Sequence, residues 1–148
     1  MLDGAAGDIV LANGDLAEEF VVATDDEVEP GSLLVLDDDA NLRLSRKPYD
    51  HRLAGVAAGA GANRPAILLN RKAGPDNKVA LALAGRVFCK VDASYGAVNV
   101  GDLLTSSMTP GYAMKAVDGE AGLGTIVGKA LSALANGRAL IPILVTML

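Results

Sequence analysis

The chain has 148 residues, enough for one domain or two small ones, with a core that removes roughly 68–70% of the unfolded surface from water. Hydrophobic residues make up 51% and charged residues 21%, which excludes a disordered chain, while net charge −5 and five aromatic residues without a Trp disfavour binding nucleic acid. One Cys excludes an intrachain disulfide, and one Cys with one His falls short of the usual structural zinc site.

In chain order, Asp3 and Asp8 stand where a signal peptide would carry a basic start and an apolar core. The expectation is a protein made and kept in the cytoplasm from Met1, or one cut from a longer chain. Short Val-, Leu- and Ile-rich runs follow, punctuated by Gly and Pro: Phe20-Val21-Val22, Leu33 to Leu36, Ala66 to Leu69, Val79 to Val91, Thr125-Ile126-Val127 and Leu140 to Val145. This rhythm is all-β. Turns are predicted at Glu29-Pro30-Gly31-Ser32, Asp37 to Asn41, Gly74 to Asn77 and Thr109-Pro110-Gly111. Asn136-Gly137 carries the residues of a type I′ hairpin, set between strands over Ile126 to Ala135 and Arg138 to Thr146. Leu131 to Ala135 has a helical turn as its alternative. The longest apolar run, Ala139 to Leu148, contains Pro142 and is about half the ~20 residues of a membrane-spanning helix, so no membrane insertion is expected.

Phrases recur within the chain. Gly31-Ser32-Leu33-Leu34 falls on Gly101-Asp102-Leu103-Leu104, Leu53 to Ala57 on Ile126 to Ala130, and Glu19-Phe20-Val21-Val22 resembles Val87-Phe88-Cys89-Lys90. Two copies are too few for a solenoid. The economical reading is a single β domain over 1–148, a barrel or sandwich of two related units at about 15–70 and 79–148 joined by a polar loop 71–78, with little helix.

Few residues invite chemistry. Ser107 could act with a lysine base, for which Lys129 is better spaced than Lys115, the lysine of the self-cleaving repressors lying tens of residues downstream of the serine. Cys89 could pair with His51, yet Val87, Cys89 and Val91 share one strand face, which suits a small core residue. The plainer reading, no catalytic residue, is favoured for all four. Asp37-Asp38-Asp39 lacks the alternating spacing of a calcium loop, and the glycines of Gly55 to Gly61 lack the following helix of a dinucleotide site. Neither a metal nor a cofactor is expected.

The wording from Gly7-Asp8-Ile9-Val10-Leu11-Ala12-Asn13 through Tyr49-Asp50-His51-Arg52-Leu53-Ala54-Gly55, Gly101-Asp102-Leu103-Leu104-Thr105, Pro110-Gly111-Tyr112-Ala113-Met114 and Ile126-Val127-Gly128-Lys129-Ala130 resembles a largely uncharacterised bacterial and phage-associated β domain. That domain is similar to those at the C-terminal end of tail-fibre-like and surface-repeat proteins and, more distantly, to the self-cleaving chaperone domain of phage neck appendages. The resemblance implies a β fold and a homo-oligomer, a trimer in many such fibres. It carries over no active-site residue, because no position here matches the chaperone's cleavage residues.

The functional expectation is a non-catalytic structural or interaction module that self-associates. An autoprotease using Ser107 or Cys89, and a small-ligand or glycan-binding module using the loops around Tyr49 and Tyr112, are the alternatives. Apolar character on both faces of the C-terminal run makes Ile141, Ile143, Leu144 and Val145 the candidates for the oligomer interface.

Overall fold

The computed structural model describes residues 9–12, 15–23, 25–60, 78–117 and 119–146. Ten strands and one short 3-10 helix are present among them: β1 (Ile9–Ala12), β2 (Asp15–Val21), β3 (Leu33–Leu36), β4 (Leu42–Leu44), β5 (Leu53–Ala57), β6 (Lys78–Asp92), the helix at Ala93–Tyr95, β7 (Leu103–Ser106), β8 (Ala113–Lys115), β9 (Gly128–Ala130) and β10 (Arg138–Val145). The all-β expectation holds. The run Ala66 to Leu69 and most of the loop 71–78 lie outside the described residues.

β6 organises the whole. Its first half pairs with β2 through Val21↔Lys78 to Leu16↔Ala84, and its second half pairs with β10 through Val145↔Gly85 to Arg138↔Asp92. Around the second half, the order β6-β10-β9-β7-β8 closes where Val91 meets Ala113 in a parallel pairing, making a five-stranded barrel. Around the first half, the order β2-β6-β5-β3-β4 returns to β2 through a single parallel bridge, Val22↔Leu42. The local hydrogen bonds match as well. Gly31 N–H donates to Ala57 O at 2.8 Å and Ala57 N–H to Ser32 O at 2.9 Å; Gly101 N–H donates to Ala130 O at 2.8 Å and Ala130 N–H to Asp102 O at 2.9 Å.

Side-chain alternation explains the cores. Leu34 packs with Val22, Leu42, Ala57 and Leu81 inside the first half. Leu33 and Val35 point the other way, into a larger cluster with Val87, Cys89, Val91, Leu104, Val127, Ile141, Ile143 and Val145. A strand buried on both faces needs an uninterrupted apolar run, and Leu33-Leu34-Val35-Leu36 supplies it. Backbone bonds stitch the halves at the same place: Leu33 N–H donates to Gly111 O, Gly111 N–H to Ser45 O, and Lys90 N–H to Gly31 O, all at 2.8–2.9 Å.

Two sequence expectations are corrected. Asn136-Gly137 does not close a type I′ hairpin, because Gly137 has φ +70° whereas Asn136 is not among the residues of positive φ. β9 ends at Ala130 and meets β10 only at Ile143–Val145, and the intervening chain is held by the Val98↔Leu134 bridge and by Gly137 O accepting from Ala93 N–H. Tertiary pairing thus overrode a local turn signal. Thr125 to Val127 precedes its strand rather than forming it, and Leu131 to Ala135 forms bends rather than a helical turn.

Gly55 in β5 and Gly128 in β9 lie opposite Leu34 and Leu104 respectively. A Cβ at Gly55 would come within 2.7 Å of Ala82 O, and one at Gly128 within 2.0 Å of Leu144 O. Both neighbours are backbone, which cannot swing aside. Gly55→Ala and Gly128→Ala are each expected to lower unfolding free energy by about 1–3 kcal/mol, as read by denaturant titration, against little change for Gly122→Ala in open space.

Candidate functional site

The described residues offer polar constellations, the outward face of β10, and exposed apolar side chains on loops at Val100, Met108, Val117 and Leu123. The denser constellation centres on Asp92, the last residue of β6, whose side chain is 1% exposed. Asp-x-Ser is the pattern that caps a helical turn, and Asp92 accepts from both the amide (2.9 Å) and hydroxyl (2.6 Å) of Ser94. It also accepts from Thr109 Oγ1 at 2.8 Å and Arg138 Nε at 3.1 Å. A carboxylate only accepts, so the Thr109 proton points at Asp92, and Tyr95 O–H donates to Thr109 Oγ1 at 2.8 Å. Burial pushes the Asp92 carboxyl up, but the hydrogen bonds of Ser94 and Thr109 and the Arg138 charge outweigh it and hold it below 3.8.

Arg138 and Lys90 both lie over the Tyr112 ring, 5.4 and 5.5 Å from its centroid. Lys90 also pairs with Glu29, and its hydrogen bond and charge lower the Glu29 carboxyl. Tyr112 is therefore covered by two cations, and Tyr49 accepts from Val117 N–H at 2.9 Å. The aromatic ring left outward is Tyr95, 45% exposed, beside a cleft of about 420 Å³ with Lys115 and Val117.

The chemistry-bearing candidates occupy separate places. Cys89 is fully buried in the core; desolvation pushes its thiol up to about 12, with Lys90 opposing. His51 is exposed in the turn before β5. Ser107 is buried after β7, its hydroxyl donating to Tyr112 O at 2.7 Å and accepting from Thr109 N–H at 3.2 Å. Lys129 is exposed on β9 across from Leu103 and Leu144. The acidic turn is built by Asp37 accepting from the amides of Asp39 and Asn41. Among the described residues, no three His, Cys, Asp or Glu side chains converge on a metal position.

The outward face belongs to β10. Ile141, Ile143 and Val145 are buried in the core of their own chain, which removes them as interface candidates, since a side chain already packed inside cannot also meet a second subunit. Leu144 is 38% exposed and Leu140 43% exposed on the opposite face. Sequence reading found the alternation but not the Asp92 network, whose Arg138 lies 46 residues away. Only the Asp-x-Ser cap was visible locally.

No family model matches the chain, and no curated protein matches it. A solved structure, the head fiber gp8.5 N base in bacteriophage phi29, is similar over 88% of this chain and 94% of that one, at 18% identity and a TM-score of 0.41. Among the described residues no helix is long and apolar enough to cross a membrane.

Asp92 gives a stability term with a definite pH sign. Its folded pKa is depressed, so the contribution is present above the unfolded value of about 3.9 and is lost as pH falls through the folded value. Asp92→Asn is expected to cost about 1–3 kcal/mol at pH 7 in denaturant unfolding, with the gap to the unaltered protein narrowing at pH 3. A gap of the same size at both values would contradict a charged Asp92 at the centre of this network.

Proposed function

We propose that the chain is a non-catalytic structural module that self-associates into a homo-oligomer, a trimer, built from two copies of one β-unit, of the kind used in phage fibre-like assemblies. The observation that carries this reading is β10. Its inward face fills the barrel with Ile141, Ile143 and Val145, and its outward face still presents Leu140 and Leu144 to water. Leucines on the outer surface of a strand gain from a covering partner, at about 25 cal/mol for each Å² of apolar surface removed from water.

Two further arrangements support it. Ser107 spends its hydroxyl on the turn it sits in, and Cys89 lies among core side chains with its thiol shifted away from the reactive form, so both read as structural residues. The loop after β4 is tied to the end of β7: Asp50 N–H donates to Ser106 Oγ at 2.9 Å, joining the two halves. Loops so engaged serve as scaffold.

Size-exclusion chromatography with light scattering at tens of micromolar is expected to give three times the 15.1 kDa chain mass. A mass of one chain at that concentration would overturn the reading.

A further inference from the structure

Charge is distributed unevenly along this chain. Residues 1–50 hold thirteen of the eighteen acidic side chains and three of the thirteen basic ones, a net of −10, whereas residues 51–148 carry five acidic and ten basic, a net of +5. The fold turns this asymmetry into two unlike surfaces. On the outside of the five-stranded barrel, Leu144 lies directly across from Arg86 of β6 and from Lys129 of β9, both exposed. Directly opposed residues share a sheet face, so this is one apolar side chain flanked by two cations.

The first half has the opposite pattern. A cleft of about 420 Å³ there has Val22, Val28 and Val79 in its wall, with Asp26, Glu27 and Glu29 beside them and Lys78 at the end of β6. Asp26 is turned toward Leu44 N–H and Arg46, and Glu29 toward Lys90, while Glu27 is exposed. The wall is apolar, and the rim carries Lys78 beside three carboxylates, of which Asp26 and Glu29 are paired and Glu27 is the acid turned to solvent.

We propose that copies of this chain associate head to tail, Leu144 of one copy entering the acid-rimmed cleft of the next, with Arg86 and Lys129 facing Glu27 across the rim. This rests on the self-association reading above and specifies its surface. A two-fold contact of the β10 face with itself would set Arg86 and Lys129 against their own copies, and such like-charge juxtaposition is unfavourable. Two different patches make a heterologous contact, which closes into a ring when the rotation between copies allows it.

The test uses the full chain in light scattering at 0.15 M salt. Leu144→Asp and the double variant Arg86→Glu/Lys129→Glu are each expected to shift the protein to monomer, as is Glu27→Lys, with the far-ultraviolet circular dichroism of the β fold unchanged because all four sites are exposed. Combining the swaps in one chain, Arg86→Glu/Lys129→Glu/Glu27→Lys, restores opposite charges at every contact and is expected to restore association. Raising salt to 1 M, where the Debye length falls to ~3 Å, should weaken the unaltered assembly. If the unaltered protein is an oligomer and Leu144→Asp or the double variant assembles as well as it does, this surface is wrong while self-association stands. Failure of the combined variant to assemble overturns the head-to-tail pairing. An unaltered protein that is monomeric overturns the self-association reading itself, and this surface with it.

Discussion

A single strand, β6, has to satisfy two groups of neighbours at once. Over Lys78–Ala84 it bonds to β2 and β5, and over Gly85–Asp92 to β10 and, at Val91, to β8. Those neighbours demand different burial. Leu81 belongs to the first core, whereas Ala82 and then Val87, Cys89 and Val91 belong to the larger one, and Ala84 and Arg86 at the changeover are exposed. The strand can cross from one environment to the other because alternation along it hands the buried face from the first core to the five-stranded barrel. Gly85 marks the point with φ +92°, a conformation that costs glycine little.

Dependence on β6 explains why β3 is apolar throughout. With Leu34 inside the first half and Leu33 and Val35 in the shared cluster, β3 is the wall between two cores, and any polar residue there would be buried without a partner. Asp50 N–H is bonded to Ser106 and Asp92 accepts four hydrogen bonds, whereas the Ser45 hydroxyl is buried beside β3 without a partner. Along β10, the alternation that fills the barrel also brings Leu140 and Leu144 to the outside.

Much of this was legible. Gly and Pro punctuation gave the β class, and the alternation of Val87, Cys89 and Val91 gave the inward face of β6. What was not legible depends on partners distant in sequence. Asn136-Gly137 has the chemistry of a hairpin turn, but Ala93 and Val98 claim the chain on either side of it. Leu144 and the two outward cations beside it, Arg86 and Lys129, come from three strands, so no local window contains them. Ser107 and Lys129 have the residue types of a dyad, and only coordinates reveal that one is bonded into a buried turn and the other stands on the outer wall.

Because β6 is continuous and the Leu33, Val87 and Ile143 side chains share a cluster, the two halves should open together. Native-state hydrogen exchange along β6, followed as a function of denaturant, tests this most directly. The account predicts that the amides of Leu81 and Ala82 and those of Cys89 and Val91 merge into one opening of equal free energy and equal denaturant slope. Exchange of the first pair through a separate opening of lower free energy, with the second pair still protected, would contradict it.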